Sequence, residues 1–423
     1  MSYHIDTKCL REGYKAKNGE SRALPIYQSI TFKYDSAETM GNLFDLNEEG
    51  FFYTRIDNPT TAAVEKKIAA LEGGVGALLT SSGQAAMICA VFNICTSGSH
   101  IISTNAIYGG TYNLFNKTLK DMGIEVTFIP TDADDATIEA AFRPNTKLVF
   151  GETLSNSLLK VLDIERFANA AHRHNVPLMV DNTFPTPINC RPFEFGADIA
   201  VHSTSKYMDG HAVVIGGAVV DSGNFDWAIG RYPELTQPFA PYHGIVYNEK
   251  FGNAAYIAKA RTHLMRDFGF TMSPHSAYLL NLGLETLHLR MERHCANALA
   301  VAKYLKNHDK ISWVNFPQLP DDKYYDLAQK YMPRGTCGVV PFGVKGGREA
   351  AIKFMEGLTL AEMAVHVADD KTCCLHPAST THRQLTAAEL EQAGVSEDFV
   401  RLSVGIEHID DILSDIEESL KKL

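Results

Sequence analysis

The chain has no Cys-x-x-Cys pair and no His-Glu-x-x-His run in its 423 residues. Its eight cysteines are scattered, and the one adjacent pair, Cys373-Cys374, suits neither a simple bridge nor a metal site. No metal is expected, and free thiols in a reducing cytoplasm fit best. Positive charge is short as well: 39 Lys+Arg against 50 Asp+Glu give 39 − 50 = −11. Neither nucleic acid nor an anionic membrane is therefore an expected partner. No apolar stretch comes near the ~20 residues that a membrane-spanning helix needs. The start, Met1-Ser2-Tyr3-His4-Ile5-Asp6, lacks the basic and apolar regions of a secretory signal. Internal repeats and low-complexity segments are missing too. What remains is an ordinary globular composition, 45% hydrophobic and 21% charged, long enough for two to three domains.

Residues 1–62 read as an irregular arm with exposed aromatic candidates such as Tyr27, Phe44, Phe51 and Tyr53, which must pack on something, such as another subunit. A helix follows Pro59, with Val64, Ile68 and Leu71 on one face, and stops at Gly73-Gly74. Short apolar runs then recur at Gly76–Thr80, His100–Ser103, Glu125–Ile129, Lys147–Phe150, Pro177–Val180, Asp198–Val201 and Gly217–Val220. Helical patterns such as Ile164–His174 separate most of them. Continuous apolar runs alternating with helices predict an α/β fold with a mostly parallel sheet covered on both faces. The stretch from Ser222 to Tyr256 has little periodicity and reads as a surface excursion. A long helix is expected over Ser276–Leu305, then an α+β region closed by an amphipathic helix carrying Ile409, Ile412, Leu413, Ile416 and Leu420. The expected division is an arm (1–62), an α/β domain (63–265) and a smaller α+β domain (266–423).

Lys206 stands out. It ends the run Val201-His202-Ser203-Thr204-Ser205-Lys206, and Asp181 ends an earlier apolar run 25 positions upstream. A lysine behind small hydroxyl residues, with an aspartate past the carboxyl end of a strand, is what pyridoxal phosphate chemistry requires. The lysine forms a Schiff base with the aldehyde, and the aspartate holds a proton on the ring nitrogen. Most lysines are simply solvated; the context sets this one apart.

Other candidates carry weaker signals singly. Ser81-Ser82-Gly83-Gln84-Ala85-Ala86 lies between a strand and a helix, and such a turn aims backbone N–H groups at an anion, although ordinary strand–helix turns look the same. Ser203 and Ser205 offer hydroxyls to that anion. Tyr108, after another strand, can lie on a cofactor face or move a proton; it is also one of 17 tyrosines. Asn156 can donate to a ring oxygen or merely stabilise a turn. Tyr53 and Arg55, two apart on an extended segment, can present a phenol and a guanidinium to one phosphate, or serve as plain surface groups. Arg401 sits mid-strand between apolar neighbours, a costly place unless it meets an anion such as a substrate carboxylate, or lies on a solvated face. His376 and His382 have no metal-ligand spacing and read as structural, and Asp369-Asp370 reads as a solvated pair.

Taken together, the runs YTRIDNPTT, ALEGG, SSGQAA, YGGTYNLF, VDNTFPTP, HSTSKY, HPASTTH and VRLSVGIE closely resemble the Cys/Met-metabolism family of pyridoxal phosphate enzymes over nearly the whole chain from Leu24. The resemblance implies the aspartate aminotransferase-like type I fold, a seven-stranded central sheet and pyridoxal 5'-phosphate as cofactor. It implies that Lys206 carries the cofactor, Asp181 pairs with the pyridinium, and Tyr108 stacks on the ring. Asn156 would touch the ring oxygen or the substrate carboxylate; Gly83, Gln84, Ser203 and Ser205, with Ser82 in the same turn, would bind phosphate. Tyr53 and Arg55 would come from the adjacent subunit of a dimer of dimers, and Arg401 would bind the substrate α-carboxylate.

Within the family, YGGTYNLF, Asn42-Leu43-Phe44 and HPASTTHRQL are similar to the O-acetylhomoserine sulfhydrylase branch. That implies a transferase of methionine biosynthesis, which replaces the acyl group of an O-acylated homoserine by sulfide or a thiol. Tyr108 and the neighbour's Tyr53 are candidate acids for the leaving group. Methionine γ-lyase, cystathionine γ-lyase and cystathionine γ-synthase activities use the same residues, although typical methionine γ-lyases carry a reactive cysteine where this chain has Gly110. A non-enzymatic α/β protein binding a nucleotide at Ser82-Gly83 is the alternative of a different class. Three departures from the family pattern stand out: Ser157 where proline is usual, Ser205 for threonine, and His366 where a small polar residue is usual.

Overall fold

The seven apolar runs form one sheet. A computed structural model describes residues 3–156, 158–380, 383 and 395–423. Strands β1 (Gly76–Thr80), β2 (His100–Thr104), β3 (Glu125–Ile129), β4 (Thr146–Glu152), β5 (Leu178–Asp181), β6 (Ile199–His202) and β7 (Gly217–Asp221) lie in the order β1-β7-β6-β5-β4-β2-β3. Only β7 runs against its neighbours, between β1 and β6. The four residues of β6 and the five of β7 are all buried, because helices cover both faces.

A second sheet has the order β10-β11-β12-β9-β8, from β8 (Ile311–Val314), β9 (Val339–Val344), β10 (Glu362–Met363), β11 (Cys373–Leu375) and β12 (Phe399–Ser403). Between the sheets in sequence runs the 33-residue helix Pro274–Lys306, one residue longer at the far end than the pattern predicts and two at the near end.

Local signals set the element ends. The helix Pro59–Glu72 starts where the Asn58 side chain accepts from the Thr60 N–H, and ends at Gly73 with φ 84°, a left-handed conformation that glycine adopts without Cβ strain. Its Val64, Ile68 and Leu71 are fully buried, each worth about 1.5–3 kcal/mol of burial.

The segment Ser222–Tyr256 corrects the surface reading. Trp227, Tyr232, Tyr247 and Tyr256 are buried, with Trp227 stacked on Tyr256 at 5.1 Å and edge-on to Tyr232 at 5.0 Å. The short turns Pro233–Thr236 and Tyr247–Phe251 belong to this packed stretch, which is why periodicity is lacking while burial is not. No helix among the described residues is long and apolar enough to cross a membrane.

Candidate active site

Lys206 sits in the connection from β6 to β7, which the long helix and the second sheet hold from outside and a turn of its own closes from within. Arg290, buried on the long helix, donates to the carbonyls of Tyr207 at 2.7 Å and of Gly283 at 2.6 Å. The Tyr207 hydroxyl accepts from the Gly338 N–H at 2.8 Å, just before β9, so the second sheet clamps the residue beside Lys206. The Gly210 N–H closes the turn on the Lys206 carbonyl at 2.9 Å. Burial and the nearby Arg401 guanidinium push the Lys206 amine down to about 8.

Asp181 ends β5, opposite Glu152 at the end of β4 and Val201 on β6. Its Oδ1 accepts from the Thr183 N–H at 2.9 Å, and the Thr183 hydroxyl accepts from the Ser203 N–H at 2.9 Å. Thr183 thus ties the aspartate to the hydroxyl run. Burial raises Asp181 above the usual carboxylate range, and no lysine or arginine stands within ion-pair distance of it among the described residues.

The turn after β1 is a cradle of backbone. The Ser82 hydroxyl accepts from the Ala85 N–H and caps the helix Gly83–Phe92, with its own O–H left to donate. A Cβ on Gly83 would lie 2.7 Å from Ser203 Cβ, and one on Gly217 would lie 2.2 Å from the Ser82 carbonyl oxygen. Three chain segments therefore converge where only glycine leaves room. The Ser205 hydroxyl bonds to the Gly216 carbonyl and N–H at 3.2 and 3.0 Å, and Gln84 Nε2 donates to Thr111 Oγ1 at 3.4 Å.

Arg401, mid-strand in β12, is buried rather than on a solvated face. Nη1 donates to Asn156 Oδ1 at 3.4 Å, and Nη2 to the carbonyls of Val365 and His366 at 3.3 and 3.4 Å. No carboxylate pairs with it among the described residues. A buried guanidinium and a half-buried carboxylate, each without an ion-pair partner among the described residues, thus accompany a desolvated amine. That donor set fits pyridoxal phosphate carrying an amino acid: Asp181 would take the protonated ring nitrogen, the helix turn the phosphate, and Arg401 the amino acid's carboxylate.

Glu152 escaped the sequence reading. It is buried, its Oε1 accepts from the Tyr108 N–H at 2.6 Å and its Oε2 from the Asn156 N–H at 2.8 Å. One carboxylate thereby spaces Tyr108 from the asparagine that touches Arg401. Burial and the neighbouring Asp181 charge push Glu152 well above the usual carboxylate range. A Glu152→Gln variant turns an amide N–H toward one of those two donors. Unfolding in denaturant is expected to show a loss of about 1–3 kcal/mol, with kcat/KM falling beside it. A variant with unchanged kcat/KM would show that Tyr108 and Asn156 need no such anchor.

His366 enters the site: its Nδ1 lies 3.4 Å from Lys206 Nζ. The pair Asp369-Asp370 is not solvated, as expected from sequence, but turned inward. Asp369 faces His366, while Asp370 faces His211 at 3.3 Å and Arg290 at 3.8 Å. His376 is structural, bonded to Ser379 and to the Glu397 carbonyl at 2.9 Å each, and no cluster suited to a metal occurs among the described residues. Ser157 and His382 lie outside the described residues.

Tyr53 and Arg55 stand apart from this group. Arg55 lies over the Tyr53 ring at 5.1 Å and donates to the Arg266 carbonyl. No hydrogen bond or ion pair among the described residues joins either side chain to Lys206, Asp181 or Arg401.

A family model described as "Cys/Met metabolism PLP-dependent enzyme" matches residues 6–421. The chain is 46% identical over 412 residues to an O-acetyl-L-homoserine sulfhydrylase of Leptospira meyeri, covering 95% of this chain and 93% of that one. It is 45% identical over 424 residues to a homocysteine synthase of Schizosaccharomyces pombe, covering 99% of each. Among solved structures, a candidate O-acetylhomoserine (thiol)-lyase from Campylobacter jejuni superposes with a TM-score of 0.95 at 34% identity, covering 99% of this chain and 100% of that one. Its crystal structure contains N'-pyridoxyl-lysine-5'-monophosphate.

Proposed function

Because the chain belongs to the Cys/Met metabolism PLP-dependent enzyme family, we propose that it is an O-acetylhomoserine sulfhydrylase, making homocysteine and acetate from O-acetylhomoserine and sulfide. Its cofactor is pyridoxal 5'-phosphate. The observation that carries the reading is the buried Arg401 guanidinium, unpaired by any carboxylate among the described residues, in one site with the desolvated Lys206 amine. An amino-acid carboxylate completes the first, and an α-proton gives the second its work.

When bound, the cofactor supplies an electron sink for the substrate's α-carbon. The chain's own residues do the rest. Arg401 and Asn156 orient the carboxylate, so that the α-hydrogen faces Lys206. The Lys206 amine, held down near 8, is a base with a usable lone pair near neutrality. Asp181 holds a proton at the ring nitrogen. Backbone N–H groups at the Gly83 helix end, with Gln84 and the hydroxyls of Ser203 and Ser205, hold the phosphate. Tyr108 would stack on the ring and, together with the Tyr53 of a second copy, is a candidate acid for the leaving group.

Gly110 favours replacement over the γ-lyase reading. A Cβ there would lie 2.5 Å from the Tyr108 ring and 2.8 Å from Gln84 Nε2, so a cysteine would require one of those side chains to shift. Tyr53 and Arg55 serve the site of a second copy. The exposed apolar side chains of the arm, Ile26, Tyr27, Ile30 and Phe44, supply a surface for that copy, and a dimer of such dimers is the assembly. Eight buried free thiols suit a cytoplasmic enzyme. The chain divides into the arm (1–62), the cofactor domain (63–265) and the smaller domain (266–423), in keeping with the two sheets.

Incubation of the purified chain with O-acetylhomoserine and sulfide is expected to release homocysteine and acetate. Incubation with methionine alone is expected to release no α-keto acid. The reverse pattern would make the chain a γ-lyase.

A further inference from the structure

Glu152 and Asp181 end the neighbouring parallel strands β4 and β5 and are paired in register. Two positions earlier, Phe150 and Met179 are paired likewise and pack in one core cluster, while Val149 and Val180 pack in the cluster on the other face of the sheet. Alternation along each strand puts both carboxyl groups on the Phe150 face, on strands about 4.8 Å apart. Both are pinned there. Glu152 accepts from the N–H groups of Tyr108 and Asn156 at 2.6 and 2.8 Å, and Asp181 Oδ1 from that of Thr183 at 2.9 Å.

Two acids so placed repel once both are charged, unless a cation joins them. The chain supplies none: no lysine, arginine or histidine stands within ion-pair distance of either carboxyl group among the described residues. The cations of the site are engaged elsewhere. Arg401 Nη1 meets Asn156 Oδ1 at 3.4 Å, and Lys206 Nζ meets His366 Nδ1 at 3.4 Å. His202 of β6 lies on the far face with Ala200, where its Nε2 is 2.6 Å from Glu72 Oε1, and its pull on Asp181 is outweighed by burial. Burial, then the Asp181 charge, push Glu152 up to about 8, and burial raises Asp181 as well.

We propose that Glu152 and Asp181 hold one proton between them in the cofactor-free chain, resting on Glu152, and release it when Asp181 receives the protonated ring nitrogen. In that step the O–H bond of Glu152 breaks, its electron pair stays on the carboxylate oxygen, and the proton leaves to water. The ring nitrogen keeps the proton it brought, and its positive charge is the cation that the pair lacked. Glu152 is thus a positioning residue acting through Asp181: once charged, it deepens the negative field that keeps the ring nitrogen protonated. Cofactor retention becomes linked to pH. Glu152 is protonated below about 8 in the empty site and ionised in the filled one, so affinity rises about tenfold per pH unit below that value and levels off above it. The inference needs the cofactor and not a particular amino acid, so it stands or falls apart from the sulfhydrylase reading.

The test uses the full cofactor-free chain and 4-deoxypyridoxine 5'-phosphate, which has the ring nitrogen and the phosphate but no aldehyde for Lys206. Titration calorimetry near neutral pH, in two buffers of unlike ionisation enthalpy, counts the protons released on binding. The parent is expected to release up to about one proton more than Glu152→Gln, and its affinity to climb more steeply with pH. Equal proton counts in the two chains would overturn the proposal. A second readout needs no variant. The infrared difference spectrum of the parent, bound minus free, is expected to lose the C=O band of a protonated carboxyl group, and 13C-labelling of glutamate is expected to move that band to lower frequency. A spectrum without such a loss, or a lost band that glutamate labelling leaves in place, would overturn it as well.

Discussion

A Lys206→Ala chain is expected to form no homocysteine and, after borohydride treatment, to carry no cofactor on its peptide. Positioned acid–base groups contribute about 10²–10⁴-fold. On the proposed roles Lys206 both removes the proton and holds the cofactor, so the loss should reach at least the upper figure. Lys206→Arg is expected to fail as completely, because a guanidinium keeps the charge but offers no lone pair. The folding of the cofactor-free chain should respond in the opposite direction. Burial lowers the Lys206 amine from its ordinary 10.5 to about 8, which disfavours the charged form in the folded state by about 3 kcal/mol. That penalty is fully present below about 8 and disappears as the pH rises past 10.5. Below pH 8 the cofactor-free alanine variant should therefore melt no lower than the parent. A variant that still turned over, or that failed only because it unfolded, would remove Lys206 from its role.

Arg401→Ala should have the next largest effect, and on a different quantity. Removing one partner of a buried, hydrogen-bonded charge pair costs about 2–5 kcal/mol, a fall in kcat/KM of about 30- to 4,000-fold. The loss should lie mainly in amino-acid binding, read from the substrate concentration that half-saturates the change in the cofactor's visible absorption. Stability should barely change, since Arg401 holds only bonds of 3.3–3.4 Å to one side chain and two carbonyls. Arg401→Lys should not restore binding, because a point charge lacks the paired donors that a carboxylate accepts. Unchanged half-saturation in the alanine variant would sink the assignment.

The parts of this molecule that could be read from the amino-acid order are those whose cause is itself written in the order. Apart from the edge strand β3, the runs that became the central sheet are buried along most of their length, which burial under helices on both faces requires. Lys206 and Asp181 were legible because each sits just past such a run. Glu152 was not, although it also ends a strand. Its partners are the backbone N–H groups of Tyr108 and Asn156, which leave no mark in a sequence. Ser82 reads from sequence as a hydroxyl for phosphate; that its oxygen also caps the helix through the Ala85 N–H is visible only in the fold. Asp369 and Asp370 looked solvated because adjacent carboxylates usually are. Both are half-buried: Asp370 by partners far away in the chain, His211 and Arg290, and Asp369 by the turn at Ala368 that brings it to His366. The rings of Trp227, Tyr232, Tyr247 and Tyr256 were hidden for another reason. Irregular backbone delivers them one at a time, so no period announces the core they build.

The reversed strand β7 bears on the order in which this site assembles. β6 and β7 are joined through the Lys206 connection, residues 203–216, far nearer in sequence than β1 and β7, so a collapsing chain meets their contact earlier. β1, which carries the proposed phosphate turn, pairs with β7 alone, by closing a segment from Thr80 to Gly217. The lysine loop must therefore be in place before the anion cradle has anything to dock against. During synthesis the N-terminal cradle leaves the ribosome first and waits unpaired, and its last step of folding is also the step that completes the cofactor's seat.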